Sequence, residues 1–163
     1  MSGESSSTND ISVEKVKKLL DFVEHNRKKR ASVKAHRHDV GECWSLPYVA
    51  LLQAGVDTPC RNCGDEAYYV WGRRIDRSAL KAGDIIQIEG AAYIDNKDAT
   101  RELQFPHEHH SMIVVTVEAP GTDGPIVKVA HQWKGQHVFY STIRLGSKRG
   151  SGVLHYYRPQ STR

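Results

Sequence analysis

Five runs of branched and aromatic residues occupy the second half of the chain and constrain the fold more than any other feature. They are Ile85 to Ile88, Ser111 to Val117, Ile126 to Trp133, His137 to Tyr140 and Val153 to Tyr157. Each has the length of a strand, and side chains of this kind suit a pleated, half-buried surface. The third and fourth are joined by Lys134-Gly135-Gln136, and the second turns into the third through Pro120-Gly121-Thr122-Asp123-Gly124-Pro125. Links this short are hairpin connections and leave no room for a crossover helix, so the strands run antiparallel. Two or three helical segments precede them. Helices followed by antiparallel strands make an α+β fold, and 163 residues suit a single domain.

The first helix starts at Ser12, which caps it, with Glu14 near its positive end and Ile11 placed to staple against Val16. Val13, Val16, Leu19, Leu20 and Val23 recur at helical spacing and predict a buried stripe. Arg27, Lys28, Lys29 and Arg30 close the helix with cations that complement its dipole and read as a solvated face. Residues 1–10 are polar and Ser/Thr-rich, which predicts a disordered tail before a single domain over 11–160. That start lacks the features of a secretory signal, and no apolar run is long enough to span a bilayer. The chain therefore reads as cytoplasmic, and export, if it occurs, would take a non-classical route. Gly90 to Gln104 reads as a long mixed loop.

Three cysteines cannot all pair within the chain. Cys60-Arg61-Asn62-Cys63, between Pro59 and Gly64, reads as a loop staple or an incidental pair. Cys43 stands in Gly41-Glu42-Cys43-Trp44-Ser45-Leu46, where a glycine-led loop turns into an apolar helix. Backbone N–H groups and the positive end of a helix dipole favour thiolate at such a place. Leu46, Ala50 and Ala54 continue the face of Cys43, and Gly55 terminates the helix. Pro47 requires either that the regular helix begins near Leu46, with Cys43 on a lead-in turn, or that the Cys43 carbonyl is left free. A thiol nucleophile needs an imidazole and a group to orient it. His107, His109 and His110 precede one strand and His131 lies near the end of the next. Both faces of Ser111 to Val117 are apolar, so alternation does not choose between His109 and His110.

Four pieces in this order resemble the papain-like cysteine peptidase and amidase superfamily, in its NlpC-type and CHAP-type branch. They are Gly41 to Leu46, Leu80-Lys81-Ala82-Gly83-Asp84-Ile85-Ile86-Gln87-Ile88, His109-His110-Ser111-Met112-Ile113-Val114, and Val127-Lys128-Val129-Ala130-His131-Gln132. Tyr156-Tyr157-Arg158-Pro159 is similar to a smaller set of stand-alone cysteine-proteinase-fold domains. The resemblance implies a papain-like fold, N-terminal helices packed on an antiparallel sheet. It implies a cysteine-dependent hydrolase that needs no cofactor and cleaves an amide of a peptide or glycopeptide, such as a peptidoglycan stem peptide, through a thioester. By position it makes Cys43 the nucleophile, His110 the base and His131 the orienting group, with His109 and Gln132 as secondary candidates. Trp44, Trp71 and Trp133 would line the substrate groove.

Two other functions use the same residues. A zinc site would draw on His107, His109 and His110 with Cys60 and Cys63. A non-catalytic binding module would keep the fold without the chemistry, for which Pro47 and the missing acidic orienter speak. A net charge of +4 permits nucleic-acid contact, but the basic cluster is confined to one helix end and has no interleaved aromatics.

Overall fold

The computed structural model describes residues 8–37, 39–63, 69–97, 102–105, 109–121 and 124–162. Helix α1 (Val13–Lys28) begins as its cap requires, with Ser12 Oγ accepting from the Lys15 N–H at 3.2 Å. Leu19 and Val23 are buried and Val16 and Leu20 pack beside them, whereas Val13, expected in the stripe, is 87% exposed. It sits in the first turn, where the helix axis has not yet reached the core. Helix α2 (Ser45–Gln53) is apolar on most sides and ends at Gly55, whose φ of +89° is the left-handed conformation that closes a helix.

The strands are β1 (Thr8–Asp10), β2 (Arg73–Arg74), β3 (Ile85–Glu89), β4 (Ala92–Ile94) and β5 (Leu103–Phe105), followed by β6 (His109–Gly121), β7 (Gly124–His131), β8 (Phe139–Arg144), β9 (Val153–Arg158) and β10 (Gln160–Thr162). Six of them form one antiparallel sheet in the order β2-β9-β3-β6-β7-β8. The fold is α+β, with two helices and a large antiparallel sheet. Among the described residues, no helix is long and apolar enough to cross a membrane.

Alternation along the strands assigns the two faces. Ile85, Ile113, Ala130 and Tyr157 pack with α1, α2 and Trp71 in one core. Ile86, Ile88, Met112, Val114, Val127, Val129 and Ile143 pack on the other side with Ala92, Ile94 and Phe105 of the β4–β5 hairpin. Both faces are therefore covered, and each fully buried Ile or Leu contributes about 1.5–3 kcal/mol. This explains why Met112, Ile113 and Val114 are apolar in succession, whereas Thr116 and Val117, beyond the covered part, are exposed.

The expected loop over Gly90 to Gln104 instead contains β4 and the first two residues of β5, short strands whose pairing the mixed composition conceals. Thr8 to Asp10, the end of the expected disordered tail, forms β1 because β10 offers it an open ladder. The residues before Thr8 lie outside the described ones. The run Ile126 to Trp133 leaves the sheet after His131, two residues early.

One buried ion pair ties the last main strand to the start of β3. Arg158 donates from Nε to Asp84 Oδ1 and from Nη2 to Asp84 Oδ2, both at 3.0 Å, and from Nη2 to the Ala79 carbonyl. Asp84 Oδ2 also accepts from the Lys81 N–H, so the Gly83-Asp84 turn is held from both sides. At the sheet's margins, β2 has two residues, both exposed arginines. The outer edge of β8 is taken by Asp95 to Lys97 through Lys97 N–H to Thr142 and Arg144 N–H to Asp95.

Candidate active site

Cys43 lies on a turn before α2, and Pro47 falls in the helix's first turn, where a backbone N–H has no intrahelical partner to lose. The lead-in is fastened by Asp39, a 7%-exposed carboxylate that sequence reasoning did not single out. Its Oδ2 accepts from the Ala35 N–H at 2.7 Å and the Ser45 hydroxyl at 2.5 Å, and its Oδ1 from the Gly41 N–H at 2.9 Å. Burial alone would raise the Asp39 pKa, but the bonds from Ser45, Ala35, Gly41 and Glu42 together hold it below the usual carboxylate value. Gly41 has a φ of +81°, which a side chain adopts only with strain. Gln132 fastens the other side: its Oε1 accepts from Val33 N–H, and its Nε2 donates to the carbonyls of Val33 and Glu42 at 2.8 and 2.9 Å. Gln132 thus positions the Cys43 loop from full burial.

The Cys43 sulfur meets β6 just beyond the last β6–β7 rung, Ile113 opposite Ala130. The thiol donates to the His109 carbonyl at 3.5 Å, and the Ser111 N–H points at the sulfur. The sulfur thus occupies the edge that β7 vacates, against the backbone flanking His110. Burial pushes the thiol up to about 11, against the pull of N–H groups from Ser111, Trp44 and Cys43 itself, while Glu42 adds to the rise. The expected helix-end lowering of the thiol is therefore overcome by desolvation, which favours the protonated form.

Both neighbouring histidines line the cleft of Cys43, but from opposite faces of the sheet. This cleft, of about 720 Å³, is also bordered by Trp44, Tyr69, Gln104, Trp133, Lys134 and Gln136. His110 lies on the β4–β5 side, stacked on Trp133 at 4.5 Å and tilted against Phe105 at 4.8 Å. Its Nε2 is 2.9 Å from Nδ1 of His131, whose Nε2 is 2.9 Å from Ser141 Oγ. His131 is wholly buried, and burial pushes it down to about 3, so it stays neutral. His109 lies on the helix side, stacked on Tyr69 at 4.6 Å with Nδ1 against Glu89. Burial raises the Glu89 carboxyl, although the His109 charge and the Tyr69 N–H pull it down.

No family model, curated protein or solved structure matches the chain. What the site does rests on its own chemistry.

Trp44 and Trp133 border the cleft as expected of groove residues. Trp71 does not: it is 1% exposed, donating from Nε1 to Gln87 in the helix-side core, because alternation turns it inward. Cys60 and Cys63 form a disulfide, which bears out the loop staple and removes both sulfurs as zinc ligands. His109 and His110 face opposite ways, His107 lies outside the described residues, and among the described residues no three ligand-type side chains group around a metal position. The sequence signal for the missed residues is thin: Lys134-Gly135-Gln136 is legible as a turn, but nothing local places Lys134 and Gln136 on the cleft rim.

Proposed function

We propose that the protein is a cysteine-dependent hydrolase of the papain-like kind that cleaves an amide bond, with Cys43 as nucleophile, His110 as base and His131 as the group orienting it. The observation that carries this reading is that Cys43 and His110 line one cleft, with His110 hydrogen-bonded behind it to the buried His131 and His131 in turn to Ser141. When His131 donates its Nε2 proton to Ser141, its Nδ1 accepts from His110 Nε2–H, and Nδ1 of His110 is left as the basic atom. A neutral acceptor steadies the imidazolium less than a carboxylate does, but in a buried setting it needs no charge of its own.

In the reaction, the Cys43 sulfur bonds to the amide carbonyl carbon as its proton passes to His110. The oxyanion collapses, the C–N bond breaks, and His110 returns the proton to the leaving amine. Water then attacks the thioester, giving a proton to His110. The C–S bond breaks and the sulfur recovers that proton. The peptide-like substrate follows from the resemblance of the four sequence pieces.

Alkylation tests this directly, because the Cys60–Cys63 disulfide leaves Cys43 the one free thiol. With iodoacetamide at about pH 6, followed by mass spectrometry, His110→Ala is expected to slow labelling by about 10²-fold or more, the usual scale of a general base. Equal rates in the parent, the His110→Ala and the His109→Ala proteins would overturn the reading and favour a non-catalytic module. A second assignment uses His109, whose Nδ1 meets Glu89 and which borders the same cleft. There the loss would fall on His109→Ala and spare His110→Ala.

A further inference from the structure

Beside the Cys43 cleft lies a second depression of about 1010 Å³, with Arg61, Arg74, Glu89, His109, His155 and Tyr157 in its wall. The two share His109, so a ligand running from the sulfur across that ring enters the second depression. Its arginines come from separate elements. Arg61 is in the disulfide loop, held by reciprocal backbone bonds to Val70 at 2.8 and 3.0 Å, and Arg74 is on β2 opposite Tyr157. Both are exposed, and among the described residues neither is paired with a carboxylate.

Their fields converge inside the depression. Burial raises the Tyr157 hydroxyl and the Glu89 charge adds to the rise, while the charges of Arg74 and Arg61 both act to lower it. His155 is held below the usual histidine value first by burial and then by Arg74, and among the described residues its buried Nδ1 has no hydrogen-bond partner. Glu89 is the acidic residue among those lining the wall, and His109 is set against it. Among the described residues, two guanidinium forks without a carboxylate partner face one carboxylate that is engaged by His109, a positive lining that suits a carboxylate ligand.

We propose that this depression binds a carboxylate of the substrate, so that the cleft of Cys43 takes acidic peptide-like chains extended over His109. The word substrate rests on the hydrolase reading; the anion site does not, and it is tested by binding to the Cys43→Ala protein. Three short alanine peptides carrying a neutral dye serve as probes: one with a glutamate and an amidated end, one with a glutamine and an amidated end, and one with a glutamine and a free C-terminal carboxylate. Fluorescence anisotropy is expected to show at least one anionic peptide binding about tenfold more tightly than the neutral one. Which of the two does so identifies the carboxylate as a side chain or a chain end.

Arg61→Gln/Arg74→Gln is expected to abolish that preference, and Arg61→Lys/Arg74→Lys to retain part of it. Both side chains are exposed, and unchanged melting temperatures verify that the variants fold. Equal binding of the three peptides, no measurable binding of any, or a preference that survives the glutamine substitutions would overturn the proposal. Failure of the hydrolase reading shows itself separately, as Cys43 alkylation indifferent to both His109 and His110, and leaves these binding results standing.

Discussion

At Cys43 two influences of similar kind oppose each other, and burial prevails. Backbone N–H groups from three residues point at the sulfur, yet the thiol is raised to about 11, so the proposed nucleophile would need an imidazole to take its proton. The neighbouring histidine chain carries its own signature. His131 falls from 6.5 to about 3 on folding, so between those values the unfolded chain binds a proton that the folded one refuses. Stability therefore falls as pH drops from about 6.5 toward 3, by up to about 1.4 kcal/mol per pH unit from this residue. Urea titrations over that range should give a shallower pH slope for His131→Gln than for the parent, and an unchanged slope would remove His131 as the source. Asp39 makes a different demand, because its removal strands several donors that have no water to turn to. Asp39→Ala is expected to cost about 2–4 kcal/mol in denaturant unfolding, whereas a loss under about 0.5 kcal/mol would mean that the lead-in holds itself.

Among the elements, the order of helices and strands was legible because each main strand is a contiguous apolar run, and α1 because its cap and stripe agree. The short strands were not. The three residues of β4 and the three of β5 carry too little pattern, and their pairing is a tertiary event. The site was legible as chemistry and only partly as geometry. Cys43, His110 and His131 are local signals, and the register that brings His110 within 2.9 Å of His131 fits the expected strand order. Which face each histidine takes was hidden, since a sheet covered on both sides erases the alternation that would reveal it. Trp71 failed as a groove residue for a related reason: an aromatic beside a glycine looks alike whether it fills a core or lines a cleft. Asp39, Glu89 and Gln132 act through partners far away in sequence, which single-chain periodicity does not show.

For the molecule as a whole, the Asp84–Arg158 pair joins the turn before β3 to the end of β9, 74 residues later. Arg158→Met would leave Asp84 charged and buried with its Lys81 N–H bond alone. Such a change is expected to cost about 3–5 kcal/mol, and Asp84→Leu/Arg158→Met to recover much of it, since apolar replacement of a buried pair is often tolerated. Thermal and urea unfolding of both variants check this; a single variant as stable as the parent would show that packing alone holds β9.

The sheet's margins carry one more consequence. An open edge is a template on which another chain can add a strand, and soluble proteins guard against that. Here one outer strand is two residues long and bears two arginines, and the other is already taken by Asp95 to Lys97. The same arginine that faces the anion depression thus also stands guard against self-association. Arg73→Val/Arg74→Val, which leaves the core untouched, is accordingly expected to raise light scattering on concentration. The parent protein, with both arginines in place, is expected to scatter less at the same concentration.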